Sequence, residues 1–214
     1  MSRSYFVTGT DTGVGKTFVT AALARRAVEL GRKVFAFKPI ETGCARVGDQ
    51  LVGDDQELLS KAAGDWQTGS LRGVYRLALA AAPAVAAEAE GRTIDLRAID
   101  RALSEGKSRA DLVLVEGAGG WRVPITSSLD MGGLARRLHM PVLVVARAGL
   151  GTINHTLLTL EAAKRDGCVV AAVILSERPE DSPEMARSNS EQIQLQCDRR
   201  IVRFRGDHSL DFLL

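Results

Sequence analysis

Short runs of apolar residues, rich in β-branched side chains and with no polar alternate, recur at positions 5–7, 34–37, 112–115, 142–145 and 169–175. Runs of that length suit strands buried on both faces. Segments of helical period separate them. From Lys16 onward Val19, Ala22, Leu23, Ala27 and Leu30 share one face, and Gly31 supplies a stop. Further helices are predicted over 55–63, 96–104, 131–138, 152–165 and 183–196. The alternation predicts an α/β fold, a doubly wound and mostly parallel sheet with helices on both faces. No internal repeat, Gly/Ser linker or shift of composition divides the chain, so one domain over 1–214 is expected.

In such a sheet ligands collect beyond the carboxyl ends of the strands, and the loops there hold the unusual residues. After the first apolar run comes GTDTGVGKT, residues 9–17. It nearly matches the phosphate-binding pattern G-x-x-x-x-G-K-[ST], with five residues rather than four between Gly9 and Gly15. Glycines let successive N–H groups turn toward phosphate oxygens, and a helix starting near Lys16 adds its positive end. Lys16 would reach the terminal phosphates, and the Thr17 hydroxyl would meet Mg²⁺.

The second run leads into FKPIETG, which sets Lys38 over the same edge as a second cation for a transferring phosphoryl group. GDDQELL begins a helix, with Asp54 the better cap by position and Asp55 the candidate metal ligand. VEGAGGW puts Glu116 directly after a buried run, where an unpaired carboxylate would be costly unless it ligates metal or positions water. ARAGLGTINH opens another helix N-terminus near Gly151 and Asn154, able to hold an anion such as a carboxylate. Two anion sites suggest a nucleotide plus an acidic small molecule.

Composition changes this picture only by exclusion. A net charge of +2 with 25 % charged residues leaves no basic stripe for nucleic acid. Three scattered cysteines, Cys44, Cys168 and Cys197, lack C-x-x-C spacing and suit a reduced, cytoplasmic protein. The start of the chain has no signal-peptide pattern, and the alanine-rich run 77–87 contains Pro83 and is too short to span a membrane. There is no Ser-His-Asp order, nucleophile elbow or zinc spacing, and His155 reads as structural.

Taken in order, YFVTGTDTGVGKT, KPIETG, the Asp55 region, VEGAGGW and GLGTINH closely resemble dethiobiotin synthetase, a P-loop NTPase-type family in which the lengthened loop is the normal form. The likeness runs from about Tyr5 to Ala163. It implies an ATP- and Mg²⁺-dependent ring closure, in which 7,8-diaminopelargonate takes up CO₂ as a carbamate, the carbamate attacks the γ-phosphate, and the second amine closes the ureido ring. By motif position, the resemblance implies that Lys16 and the amides of Gly13, Val14, Gly15 and Thr17 hold phosphates. Thr17, Asp55 and Glu116 would gather the metal, and Lys16, Lys38 and Glu116 would carry catalysis. Thr12, Lys38 and Thr42 would face the diamine and carbamate, while Gly151 and Asn154 would grip the substrate carboxylate from the neighbouring subunit of a homodimer.

Two departures concern the base. Where the family often has an asparagine reading adenine, this chain has Ser176, and its C-terminal IVRFRGDHSLDFLL lacks the family's Gly-x-x-Pro turn. A hydroxyl cannot make the two-ended contact of an amide, so weak base selectivity, or selectivity through backbone contacts, is expected. The alternative function is a regulatory P-loop ATPase switch that binds a protein partner. Such switches usually carry a second lysine early in the loop, of the K-G-G-x-G-K-T type, and GTDTGVGKT has none there.

Overall fold

A computed structural model describes residues 3–214. Six parallel strands form the central sheet: β1 (Arg3–Gly9), β2 (Val34–Phe37), β7 (Leu112–Gly120), β8 (Val142–Arg147), β9 (Val170–Ser176) and β10 (Ile201–Phe204), in the order β10-β9-β8-β1-β7-β2. Every predicted apolar run is one of these strands; β10 was not predicted.

Alternation along the strands sorts the core into two layers. Phe6, Phe35, Phe37, Val113, Val115, Val144 and Val173 enter one cluster. It is covered by α3 (Pro83–Ala89), α4 (Leu96–Ser108), α5 (Met131–Leu138), α6 (Thr152–Arg165) and α7 (Pro183–Gln196). Val7, Val34, Ala36, Leu112, Leu114, Leu143 and Ile174 enter the other, beneath α1 (Lys16–Glu29) and α2 (Asp54–Ala62). The two-sided helical cover explains why the strands carry no polar alternate.

The segment after β2 holds more structure than its sequence suggested. Strand β3 (Ile40–Thr42) pairs in parallel with β6 (Tyr75–Leu77), and β4 (Ala45–Val47) forms a hairpin with β5 (Gln50–Val52). The alanine-rich stretch contains helix α3, with Pro83 at its first turn, where the missing N–H costs nothing. Among the described residues no helix is long and apolar enough to cross a membrane.

Candidate active site

Register brings the central charged residues together. Phe37 of β2 sits opposite Val115 of β7, so the next residues, Lys38 and Glu116, are neighbours. On its other side Glu116 is opposite Val7 of β1, which leads into the glycine loop. Lys38 and Glu116 continue the alternation of Ala36 and Leu114, which points them toward α1 and α2. There Thr17, in the first turn of α1, donates to Glu116 Oε1 at 2.8 Å, and Lys38 Nζ donates to the same oxygen at 3.0 Å. Lys38 also pairs with Asp55 of α2.

Glu116 is therefore not a residue beyond a strand, as its sequence suggested, but lies within β7, which continues to Gly120. It is wholly buried, and among the described residues its Oε2 has no hydrogen-bond partner. Burial would draw the Lys38 pKa down, but the Glu116 and Asp55 carboxylates outweigh it and hold the ammonium above the ordinary lysine range. Burial would likewise raise the Asp55 pKa, and Lys38 reverses that, keeping it below the usual carboxylate value.

Lys16 is in a different condition. Its Nζ donates to the Asp11 carbonyl at 3.0 Å, and among the described residues it has no direct carboxylate partner. Burial, with the nearby Lys38 charge adding to it and Glu116 opposing it, brings its pKa down to about 8. The loop takes left-handed backbone at Gly13 (φ 71°) and Gly15 (φ 98°), where a side chain would be strained. A Cβ on Gly15 would also clash with Ser176 Oγ, so the loop rests directly on the carboxyl end of β9. Val14 is buried beneath it.

A cleft of about 640 Å³ opens over these groups. Thr12, Gly13, Gly15, Lys16, Thr17, Lys38, Thr42 and Asp55 all line it, and the segment from Ala80 to Pro83 forms an apolar wall. Gly151 and Asn154 lie outside its lining, with Gly151 as the N-cap of α6 and Asn154 exposed on that helix's first turn.

The donors suit a hard cation. Glu116 Oε2 is an unpartnered buried carboxylate oxygen, and the Thr17 hydroxyl and the Asp55 carboxylate both meet the same Glu116–Lys38 pair. Hydroxyl and carboxylate oxygens are what Mg²⁺ prefers. Among the described residues no three His, Cys, Asp or Glu side chains cluster as a metal cage. A Mg²⁺ ion bound mainly by phosphate oxygens and water needs none.

The expected cap of α2 is a correction. Asp54 is not its N-cap but its first helical residue, and Gly53 occupies the cap position with no side chain to offer. The Glu41 carboxylate, reaching across from β3, accepts from the N–H groups of Asp55 at 2.9 Å and Gln56 at 3.0 Å. A Cβ on residue 53 would crowd the Glu41 carboxylate out of this position, and glycine leaves it its place. Glu41 was missed because a glutamate in a turn looks solvated in sequence. Its burial shows only once β3 pairs with β6.

Comparisons with known proteins bear on the fold and the family. The profile of the AAA domain family matches residues 3–203. Among solved structures, the septum site-determining protein MinD of Pyrococcus horikoshii, complexed with Mg-ADP, superposes with a TM-score of 0.51 at 16 % identity. That alignment covers 100 % of this chain and 85 % of MinD. The signal recognition particle receptor FtsY of Elizabethkingia anophelis gives 0.53 at 16 % identity, over 100 % of this chain and 65 % of its own. At such identities the likeness is one of fold, that of P-loop NTPases. Sequence relatives are much nearer. The ATP-dependent dethiobiotin synthetase of Anaeromyxobacter dehalogenans is 43 % identical over 90 % of this chain and 85 % of its own length. That of Aquifex aeolicus is 44 % identical over 79 % and 74 %. With fold, loop and near full-length relatives in agreement, the chain belongs to the ATP-dependent dethiobiotin synthetase family.

Proposed function

We propose that this protein, acting as one domain, closes the ureido ring of dethiobiotin from 7,8-diaminopelargonate, CO₂ and ATP, with ADP and phosphate as products. The single observation that carries the reading is that Lys16, Lys38, Thr17 and Glu116 converge beneath one cleft whose other wall is apolar. That arrangement suits a triphosphate meeting a hydrocarbon substrate.

In the proposed sequence an amine of the diamine adds to CO₂ and loses a proton, giving a carbamate. A carbamate oxygen then attacks the γ-phosphorus, ADP leaves, and a carbamic-phosphoric anhydride remains. The second amine attacks its carbonyl carbon and gives up a proton, phosphate departs, and the ring is closed. Two anions must approach in the middle step, and we assign to the Lys38 ammonium, held protonated beside Asp55 and Glu116, the neutralising of carbamate and phosphoryl oxygens. Lys16 and the amides of Gly13 to Thr17 hold the phosphates. Thr17, Asp55 and Glu116 would hold Mg²⁺, which when bound neutralises phosphate oxygens.

Thr12 and Thr42 border the diamine, and the Ala80–Pro83 wall takes its chain. The substrate also has a carboxylate tail to be held. We assign its grip to Gly151 and Asn154 of a second subunit in a homodimer, consistent with their place outside the cleft lining. Ser176, against Gly15, borders the base. The reduced cytoplasm is the compartment we assign.

The test is incubation with the diamine, Mg²⁺, labelled bicarbonate and ATP, with GTP and CTP in parallel. Acid-stable label in dethiobiotin with matching phosphate release is expected. Folded protein that hydrolyses ATP but incorporates no label with any nucleotide would sink the reading in favour of a regulatory ATPase switch.

A further inference from the structure

Beyond Ser176 the chain turns sharply before α7, and the first side chain of that turn reaches back to the glycine loop. Arg178 Nη2 donates to the Gly13 carbonyl at 2.6 Å. Among the described residues no backbone amide donates to that carbonyl. The turn presenting Arg178 is braced from both sides, because its N–H donates to Asp181 Oδ2 at 2.7 Å and its carbonyl accepts from Asp181 N at 3.0 Å. Ser182 then caps α7 by accepting from Met185 N.

We propose that Arg178 is a positioning residue for the phosphate loop, a role that rests on the nucleotide reading of that loop. A peptide unit is planar and its C=O and the following N–H point in opposite directions. Holding the Gly13 carbonyl toward Arg178 therefore aims the Val14 N–H the other way. Gly13 has left-handed backbone, and a Cβ built there meets nothing within 4 Å, so packing does not hold this residue. A glycine in open space is free to rotate, and among the described residues no backbone amide restrains the carbonyl of this peptide. The guanidinium supplies the restraint from outside the loop. Because the same strand end also touches Gly15 through Ser176, the base side of the site and the phosphate loop form one mechanical unit.

The Arg178 side chain is 58 % exposed, so its truncation leaves no cavity. Arg178→Ala, Arg178→Lys and the unaltered protein would be compared for binding of Mg²⁺ with the imido analogue of ATP. Ring-closure kinetics, melting temperature and hydrogen exchange of the Val14 and Gly15 amides would be measured alongside. Loss of one charge-assisted hydrogen bond predicts about tenfold weaker nucleotide binding in Arg178→Ala. KM for the diamine and the melting temperature should stay unchanged, with faster exchange at Val14. Arg178→Lys, which keeps a donor, should recover most of the affinity.

Unchanged affinity and exchange in Arg178→Ala would overturn the proposal. So would a loss accompanied by a lower melting temperature that lysine does not rescue. If the unaltered protein bound no nucleotide at all, the reading of the loop would fall instead, and the exchange comparison would still decide whether Arg178 orders it.

Discussion

Lys38 Nζ lies 3.0 Å from Glu116 Oε1, joining two buried charges that are 78 residues apart in the chain. Each makes the other tolerable, since an isolated ionised group in this interior would be far more costly than the pair.

Lys38→Ala should therefore cost stability as well as activity. Glu116 keeps only the Thr17 hydroxyl, and the loss of a buried partner predicts a destabilisation of roughly 3 kcal/mol by chemical denaturation. The turnover rate should fall much more than nucleotide affinity. An equal loss in both would contradict a role at the carbamate.

Glu116→Gln keeps the volume of the side chain and its acceptor for Thr17 while removing the charge. We expect the Mg²⁺ concentration for half-maximal rate to rise about tenfold or more, with nucleotide binding in the absence of metal little changed. An unaltered Mg²⁺ titration would show that this carboxylate does not face the metal.

Lys16 predicts a pH dependence of nucleotide binding. The free protein holds its ammonium only below a pKa of about 8. Affinity for ATP should fall as pH rises through 8, and a flat profile from pH 6.5 to 9.5 would refute the assignment. The stability consequence has the opposite sense. Between pH 8 and 10.5 the unfolded chain holds a proton that the folded one has released, so this group's contribution to stability rises with pH over that window and is most unfavourable below it. Lys16→Met should accordingly abolish turnover yet stabilise the protein at pH 7, by roughly 3 kcal/mol at most.

Glu41→Ala removes the acceptor for two N–H groups at the start of α2. A loss of about 1–3 kcal/mol is expected, together with a lower rate because Asp55 is carried by the same turn. Glu41→Gln, which retains one acceptor oxygen, should recover part of both. Full activity in Glu41→Ala would mean that the placement of Asp55 does not depend on this contact.

The large architecture and much of the site were legible in the sequence because both are written locally. A strand buried on two faces must be apolar throughout, and a loop that wraps an anion must contain glycines at fixed offsets, so 34–37 and GTDTGVGKT are visible without any partner. What stayed hidden depends on distant pairing. Strands β3 and β6 are three residues each and have meaning only together, and Glu41 is buried only because they pair. β10 reads IVRF, one charged residue among three apolar ones with alternate positions only half-buried, because it lies at the edge of the described sheet beside β9. Arg178 gave no signal, since one arginine in a polar turn is ordinary until the turn is seen to lie against Gly13.

The cluster of Thr17, Lys38, Asp55 and Glu116 draws on α1, β2, α2 and β7, with Thr17 and Glu116 separated by 99 residues. Parallel pairing over such separations forms slowly, because chain closure must precede the contacts that reward it. No hairpin or local helix pair can assemble this constellation by itself. Recovery of catalysis after dilution from denaturant should consequently lag any early gain of helical signal and coincide with burial of the central strands, making turnover a late and stringent clock for folding.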